Sequence, residues 1–342
     1  MKRSVFAAIA AALLLSLPLP TGGLEAQSES FDTYVEVLRS KARAEGVSEA
    51  TINRMTRDLT PNMRVIELDQ QQPGTPSRPG VFPPVSAYLD RHVEPARIRN
   101  GQSVYNSSGS LRADVETRYG VPSEILIAIW GHETAYGSVR GNFDLARALA
   151  TLAWEGRRRT LFESEFLALM KVADKGYSRH ELVGSWAGAF GNPQFLPSVY
   201  LRLATDGDGD GKANIFTNRA DTLASIANYL KDAGWEASEP WGVRASVPAG
   251  FDWNAVATEV VAPVCPRVYD RHSRWMSVAE WQQMGVHPQS RIGSDTLAML
   301  FQPDGLGTPA WLLTGNYRAI LEYNCSNYYA LSVGELADRI AN

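Results

Sequence analysis

The chain has 342 residues, 44% of them hydrophobic and 20% charged, and a formal net charge of −4 at pH 7. This length can bury a large core divided among two or three lobes, and there is no low-complexity tract. The mild acidity argues against a nucleic-acid partner, because no run of Lys or Arg supplies the phosphate-neutralising term. The one basic cluster, Arg157, Arg158 and Arg159, reads either as a solvated helix face or as a contact with an acidic polymer.

The chain opens on Lys2 and Arg3, an apolar stretch from about Val5 to Leu19, then Pro20, Gly22, Gly23 and a small residue at Ala26. These are the three parts of a secretory signal peptide, here residues 1–26, and the stretch is too short for a convincing membrane span. No cysteine lies near the cleavage point, so the mature protein is expected to be soluble in the periplasm rather than lipid-anchored. Residues 27–113 form the next unit. Phe31, Tyr34, Val35, Val37 and Leu38, then Val47, Ile52 and Met55, recur at helical spacing around a turn at Gly46. From Gln70 to Val85 five prolines and two glycines forbid regular structure and predict an extended connector.

Residues 114–235 carry the densest signals. The periodicity predicts helices over Pro122–Thr134, Phe143–Ala153, Arg158–Lys175 and Asp221–Lys231, and a glycine-rich loop and helix start over Gly184–Phe195. Residues 236–309 turn to short strands in a small mixed lobe. The last segment, 310–342, alternates like a hairpin in TPAWLLTGNYRAILEYN and ends in a helix over Val333–Ile340. The fold class is therefore mainly α, in an α+β arrangement. Cys265 and Cys325 are the two cysteines, and an even count in an exported chain points to a disulfide, with two buried thiols as the alternative.

ILIAIWGHETAYG aims a carboxylate, Glu133, along the stripe of Leu126, Ile129 and Trp130. A carboxyl group on an apolar stripe loses hydration, which favours its protonated form and suits a proton donor near neutral pH. The bland alternative is a helix-end glutamate with a capping partner. His132-Glu133 also resembles the start of a zinc-protease helix, but Tyr136 stands where the second histidine is needed. Asp144, Glu155, Glu163 and Glu165 read as solvated helix faces, so no second catalytic carboxylate stands out.

DGDGDGKANIFT has the spacing of a calcium loop: Asp206, Asp208 and Asp210 at one, three and five, Gly211 at the turn, the Lys212 carbonyl at seven, and Asn214 at nine. Thr217 occupies the twelfth position, where a bidentate glutamate is needed, so any calcium is expected to bind weakly, with Asp221 available to close the shell. A plain Gly-Asp turn is the alternative.

IWGHETAYG, ALATLAW, GSWAGAFGNPQFLPSVY, the calcium-like loop, SIANYLKDAGW and YNCSNYYALSVGELAD follow one another between Phe31 and Ile340. Together they resemble the membrane-bound lytic transglycosylase B family of peptidoglycan-cleaving enzymes. The resemblance implies a lysozyme-like core with Glu133 as the single acid and base, Ser185 and Gln194 lining the sugar cleft, and Asn324 and Tyr329 near the scissile bond. It implies peptidoglycan glycan strands as the substrate, no cofactor for the chemistry, a monomer, and other cell-wall enzymes as partners. Asn192-Pro193 departs from the family pattern before Gln194, and the namesake's lipidation cysteine is missing. With one carboxylate, the acetamido group of N-acetylmuramic acid would replace the second, and its C6 hydroxyl would close on C1 to leave a 1,6-anhydro end. A hydrolytic muramidase and a non-catalytic wall-binding protein are the competing readings. Trp130, Trp186, Phe195 and Tyr329 are either sugar-stacking faces or core.

Overall fold

The computed structural model describes residues 29–71, 83–258 and 265–342. The signal segment and most of the Pro-rich connector lie outside the described residues. In chain order come α1 (Phe31–Ala44), α2 (Glu49–Thr56), α3 (Met63–Gln70), α4 (Val85–His92), α5 (Pro95–Asn106), α6 (Gly109–Tyr119) and α7 (Ser123–Thr134). β1 (Phe143–Asp144), α8 (Leu145–Glu155), α9 (Arg159–Asp174), β2 (Val183–Gly184), α10 (Pro197–Leu203) and α11 (Arg219–Asp232) follow. The remainder is β3 (Gly242–Ser246), α12 (Pro266–Tyr269), β4 (Met276–Ser277), α13 (Val278–Gln283), β5 (His287–Pro288), β6 (Leu297–Phe301), β7 (Ala310–Leu313), α14 (Gly315–Tyr323) and α15 (Asn327–Ala341).

The described chain divides into two compact units, one made of 83–132 and 223–342, the other of 29–71 and 133–222. In the second unit α8 is the central helix, buried from Leu145 to Ala153 and packed on α1, α3 and α9. It begins where the Asp144 carboxylate accepts the Arg147 N–H at 3.1 Å, so the predicted helix start at Phe143 gives way to a short strand paired with β2. The basic cluster, read as a solvated helix face or as a contact with an acidic polymer, has partners within the protein. Arg157 and Arg158 both bind the buried Asp69 carboxylate, and Arg159 stacks over Tyr34 at 4.9 Å. Two of the predicted solvated carboxylates are instead structural. Glu163 accepts from Tyr34 Oη at 2.5 Å and Lys41 Nζ at 2.6 Å. Glu165, 5% exposed, accepts from the backbone N–H and hydroxyl of Ser198 in the first turn of α10. Burial raises the Glu165 pKa against those two hydrogen bonds.

The first unit carries a five-stranded antiparallel sheet in the order β4-β6-β7-β3-β5. Val243, Leu300 and Leu312 on its strands pack with Val256 and Trp281 into one apolar cluster. α15 packs against α4, α5 and α14. The predicted hairpin over TPAWLLTGNYRAILEYN is corrected: β7 stops at Leu313, and Thr314 caps α14 by accepting the Asn316 N–H at 3.2 Å. Tyr317, Ile320 and Leu321 are buried at helical spacing, and Tyr317 and Leu321 alone also fit the alternating reading. Cys265 and Cys325 form a disulfide closing a separation of 60 residues, which stabilises by on the order of 4 kcal/mol in the chain-entropy model.

Candidate active site

α7 is not the amphipathic stripe that its spacing predicts. Every residue from Ile125 to Trp130 is buried, so the helix is apolar on all sides and Trp130 belongs to the core. Glu133, half-buried, is the next-to-last residue of this helix. Directly after Thr134 the backbone turns left-handed at Ala135 (φ 48°), Tyr136 (φ 59°) and Gly137 (φ 88°). Glycine adopts this without penalty, but at Ala135 and Tyr136 the Cβ crowds the backbone and costs roughly 1–2 kcal/mol each. Such strain persists only where surroundings hold it, and it clusters at functional sites.

What holds it here is Thr134. Its hydroxyl donates to the Asn192 carbonyl at 3.1 Å and accepts the Gly137 N–H at 3.1 Å. Asn192 is itself buried, with its N–H on Ile215 O at 2.8 Å and its Nδ2 donating to Thr222 Oγ1 at 3.0 Å. The end of the glutamate helix is thereby pinned to the turn that presents Gln194. Gln194 is a second left-handed non-glycine residue (φ 52°), half-buried, with its Nε2 donating to the Gly191 carbonyl at 2.8 Å. Ser185 lies at the other end of the same segment: its Oγ accepts the Ala189 N–H at 3.0 Å, and Gly184, Phe190 and Phe195 form a short ladder between them. Gly141 and Gly184 make this possible, because a Cβ on either would collide with the backbone of the facing segment. Phe195 is 2% exposed and belongs to the core, whereas Trp186 is half-buried.

The sequence singles out Glu133, Ser185 and Gln194 as candidates, and Asn192 only as a departure from pattern. Its anchoring role has a faint signal, a lone Asn between a glycine and a proline, where a buried amide must find partners.

The loop after α10 gathers its acids as its spacing predicts. One carboxylate oxygen from each of Asp206, Asp208 and Asp210 lies within 4.8 Å of the others. The Asp206 carboxylate accepts the Gly209 and Gly211 N–H groups, and these hydrogen bonds hold its pKa low. Lys212 donates its N–H to Asp210 at 2.8 Å, and Asn214 Oδ1 accepts from Phe216 and Thr217. Asp221 does more than stand by: its two oxygens accept the Gly207 and Asn214 N–H groups at 2.8 and 2.6 Å, which clamps the two ends of the loop. Three acidic ligands, a sharp turn and a preshaped loop suit a hard divalent cation. Among the described residues, Asp206, Asp208 and Asp210 are the one group of His, Cys, Asp and Glu gathered closely enough to hold a metal.

In the other unit, Asn324 ends α14 in an extended conformation, with its carbonyl accepting the Ser326 N–H at 2.7 Å. Tyr329 sits in the first turn of α15, where its N–H donates to the Ser326 cap at 3.3 Å, and its ring lies 5.6 Å from that of His132. Burial drives the His132 pKa down to about 3, helped by the nearby Arg97, so this imidazole is neutral. Its Nε2 is buried and makes no hydrogen bond.

The chain as a whole has matches among known proteins. Residues 30–338 match the transglycosylase SLT domain. The chain belongs to that family. It is 31% identical, over 80% of its own length and 73% of the relative's, to membrane-bound lytic murein transglycosylase B of Escherichia coli (strain K12). Among solved structures this SLT-family chain resembles SltB3 from Pseudomonas aeruginosa in complex with NAG-anhNAM-pentapeptide, at a TM-score of 0.82 and 38% identity, covering 92% of this chain and 80% of that one. It also resembles the Escherichia coli lytic transglycosylase Slt35 in complex with calcium, at a TM-score of 0.72 and 26% identity, covering 90% and 92%. The mostly helical architecture with a small antiparallel sheet is that of the lysozyme-like lytic transglycosylases, and the chain is an enzyme of this lytic murein transglycosylase kind.

Proposed function

We propose that this enzyme cleaves the β-1,4 bond between N-acetylmuramic acid and N-acetylglucosamine with Glu133 as its single acid and base. The observation that carries the reading is the half-buried carboxyl group shortly after the buried apolar run Ile125–Trp130, followed at once by strained backbone that Thr134 and Asn192 hold in place. Protonated Glu133 donates to the glycosidic oxygen as the C1–O bond breaks, while the substrate's acetamido carbonyl stabilises the cation at C1. The Glu133 carboxylate then takes the proton of the C6 hydroxyl as that oxygen bonds to C1. The proton returns to Glu133, no water is consumed, and the product ends in 1,6-anhydro-N-acetylmuramic acid. Ser185 and Gln194 are assigned to the acetamido group and the sugar face, supported by their share in the segment pinned to the glutamate helix. Asn324 and Tyr329 are assigned as further sugar contacts on the likeness of their motif. The substrate class is peptidoglycan glycan strands, which agrees with the peptidoglycan fragment bound by SltB3.

No helix among the described residues is long and apolar enough to cross a membrane, and a periplasmic site of action is the one at which this substrate lies. Glu133→Gln keeps the side chain's shape and removes the proton cycle, so it should lower peptidoglycan turnover at least a thousandfold, roughly, with an unchanged melting temperature. Turnover within a few fold of the parent's would overturn the assignment.

A calcium ion held by Asp206, Asp208 and Asp210, with the Lys212 carbonyl and Asn214, would be structural, and the calcium complex of Slt35 supports the reading. With Thr217 at the twelfth position it should bind weakly. Millimolar calcium should raise the melting temperature by a few degrees over chelator, by mass action, and leave glycan cleavage in the cold unchanged. Superimposable melting curves would remove the ion.

A further inference from the structure

A cavity of about 600 Å³ in the sheet-bearing unit uses none of the groups assigned above. It is walled by α4 and the start of α5, by β3 and the turn before β7, and by the end of α15. Leu89, Val93 and Trp311 give it apolar surface, and its volume is in the range that encloses a ligand of a few tens of atoms.

Its charged groups fall into two classes. Some are consumed by the protein. The Glu335 carboxylate accepts from Arg244 at 2.7 Å and from Trp311 Nε1 at 3.0 Å, and the Arg244 guanidinium lies 5.2 Å over the Trp311 ring. Both oxygens of Asp304 accept the Val85 N–H at 3.0 Å, capping α4, and Glu94 pairs with Arg97 at 3.2 Å. Two are not consumed. Arg339, one turn beyond Glu335 on α15, and Asp90, on α4, both line the cavity, both are exposed, and neither side chain enters an ion pair or hydrogen bond among the described residues. After internal pairing the cavity therefore offers one guanidinium, one carboxylate and an apolar surface.

We propose that this cavity binds a short peptide carrying both a free carboxylate, taken by Arg339, and a free ammonium, taken by Asp90. A guanidinium fork suits a carboxylate, and the residual pair selects a zwitterion over an ion of either sign. Resting on the proposed cleavage of peptidoglycan, the ligand class is the uncross-linked stem peptide, whose terminal carboxylate and side-chain amine are free. Engaging a stem there adds a second point of attachment to a polymer already held in the glycan cleft, which raises avidity without touching the chemistry.

The test uses the full chain with Glu133→Gln, so that no turnover interferes, and calorimetric titration with synthetic N-acetyl-L-Ala-γ-D-Glu-L-Lys-D-Ala-D-Ala whose D-Glu α-carboxyl is amidated, so that the C-terminal carboxylate and the lysine amine are its only charges. Two altered peptides accompany it, one amidated at the C-terminus and one acetylated on the lysine amine. Each alteration should weaken binding roughly tenfold. Arg339→Gln should weaken the parent peptide to a similar degree and no longer distinguish acid from amide, and Asp90→Asn should no longer distinguish amine from acetamide. The inference is overturned if the three peptides bind alike, if the two variants keep the discrimination, or if the peptide-free disaccharide displaces the peptide, which would put it in the glycan cleft. These outcomes are separate from the assignment of Glu133 as acid and base, which stands or falls on whether Glu133→Gln loses turnover.

Discussion

Glu133 was legible because a charge stood in an apolar run, yet the residues that hold it were not. Ala135, Tyr136 and Gln194 carry no compositional sign of left-handed backbone, since only Gly, Asn and Asp advertise it. The cost of that strain is met by partners distant in sequence, Thr134 with Asn192 and Asn192 with Thr222. Two buried histidines contribute to the enzyme's response to acid. Burial lowers the pKa of His272 to about 4 and that of His132 to about 3. Unfolded, each takes up its proton near pH 6.5, so the stability they contribute is complete above that pH and is lost as pH falls toward 4. In that window the loss is up to about 1.4 kcal/mol per pH unit for each group. Glu165 and Asp338, raised by burial, act with the opposite sign, contributing stability at low pH that is lost as pH rises. Melting at pH 7 and pH 5 should therefore show a clear fall at the lower pH, and His272→Gln should make it shallower. A variant with the parent's slope would show that His272 protonates as freely folded as unfolded.

At the scale of elements, periodicity finds helices well where one face is buried and misassigns them where burial is complete. α7 was placed to the residue at its C-terminus, but its all-round burial leaves no stripe to read. α14 was mistaken for the second strand of a hairpin because Trp311, Leu313, Tyr317, Ala319 and Leu321 alternate at even spacing while Tyr317, Ile320 and Leu321 also keep helical spacing. The order of the five-stranded sheet was illegible for another reason: β3 pairs with β7, with Gly242 opposite Leu313, and such a long-range register leaves no local mark. α15 depends on one residue without a side chain. A Cβ at Gly334 would overlap the Trp241 ring, whose Nε1 donates to Asp338 on the same helix at 3.2 Å. Alanine is the better helix former by about 1 kcal/mol, so Gly334→Ala would stabilise an unencumbered helix. Here it should destabilise by about 1–3 kcal/mol through overpacking, read as a lowered denaturation midpoint. A raised midpoint would mean that Trp241 yields without loss.

Across the whole molecule, the division into two compact units crosses the helix that carries Glu133: α7 runs from one unit into the other between His132 and Glu133. The sheet-bearing unit is closed by the Cys265–Cys325 disulfide, which the even cysteine count had left as one of two readings. The central claim about the complete enzyme is that one carboxyl group serves both halves of the reaction, because the sugar's own C6 hydroxyl, held on the same ring, outcompetes water once the cleft excludes it. A hydrolase built around the same glutamate would share every structural feature described and differ only in which oxygen reaches C1. Digestion of peptidoglycan in oxygen-18 water, followed by mass analysis of the new muramic ends, reads that oxygen directly. The expected ends are one water lighter than a hydrolysed product, unlabelled and resistant to borohydride. Oxygen-18 at most of the new ends would contradict the central claim and show that Glu133 activates water.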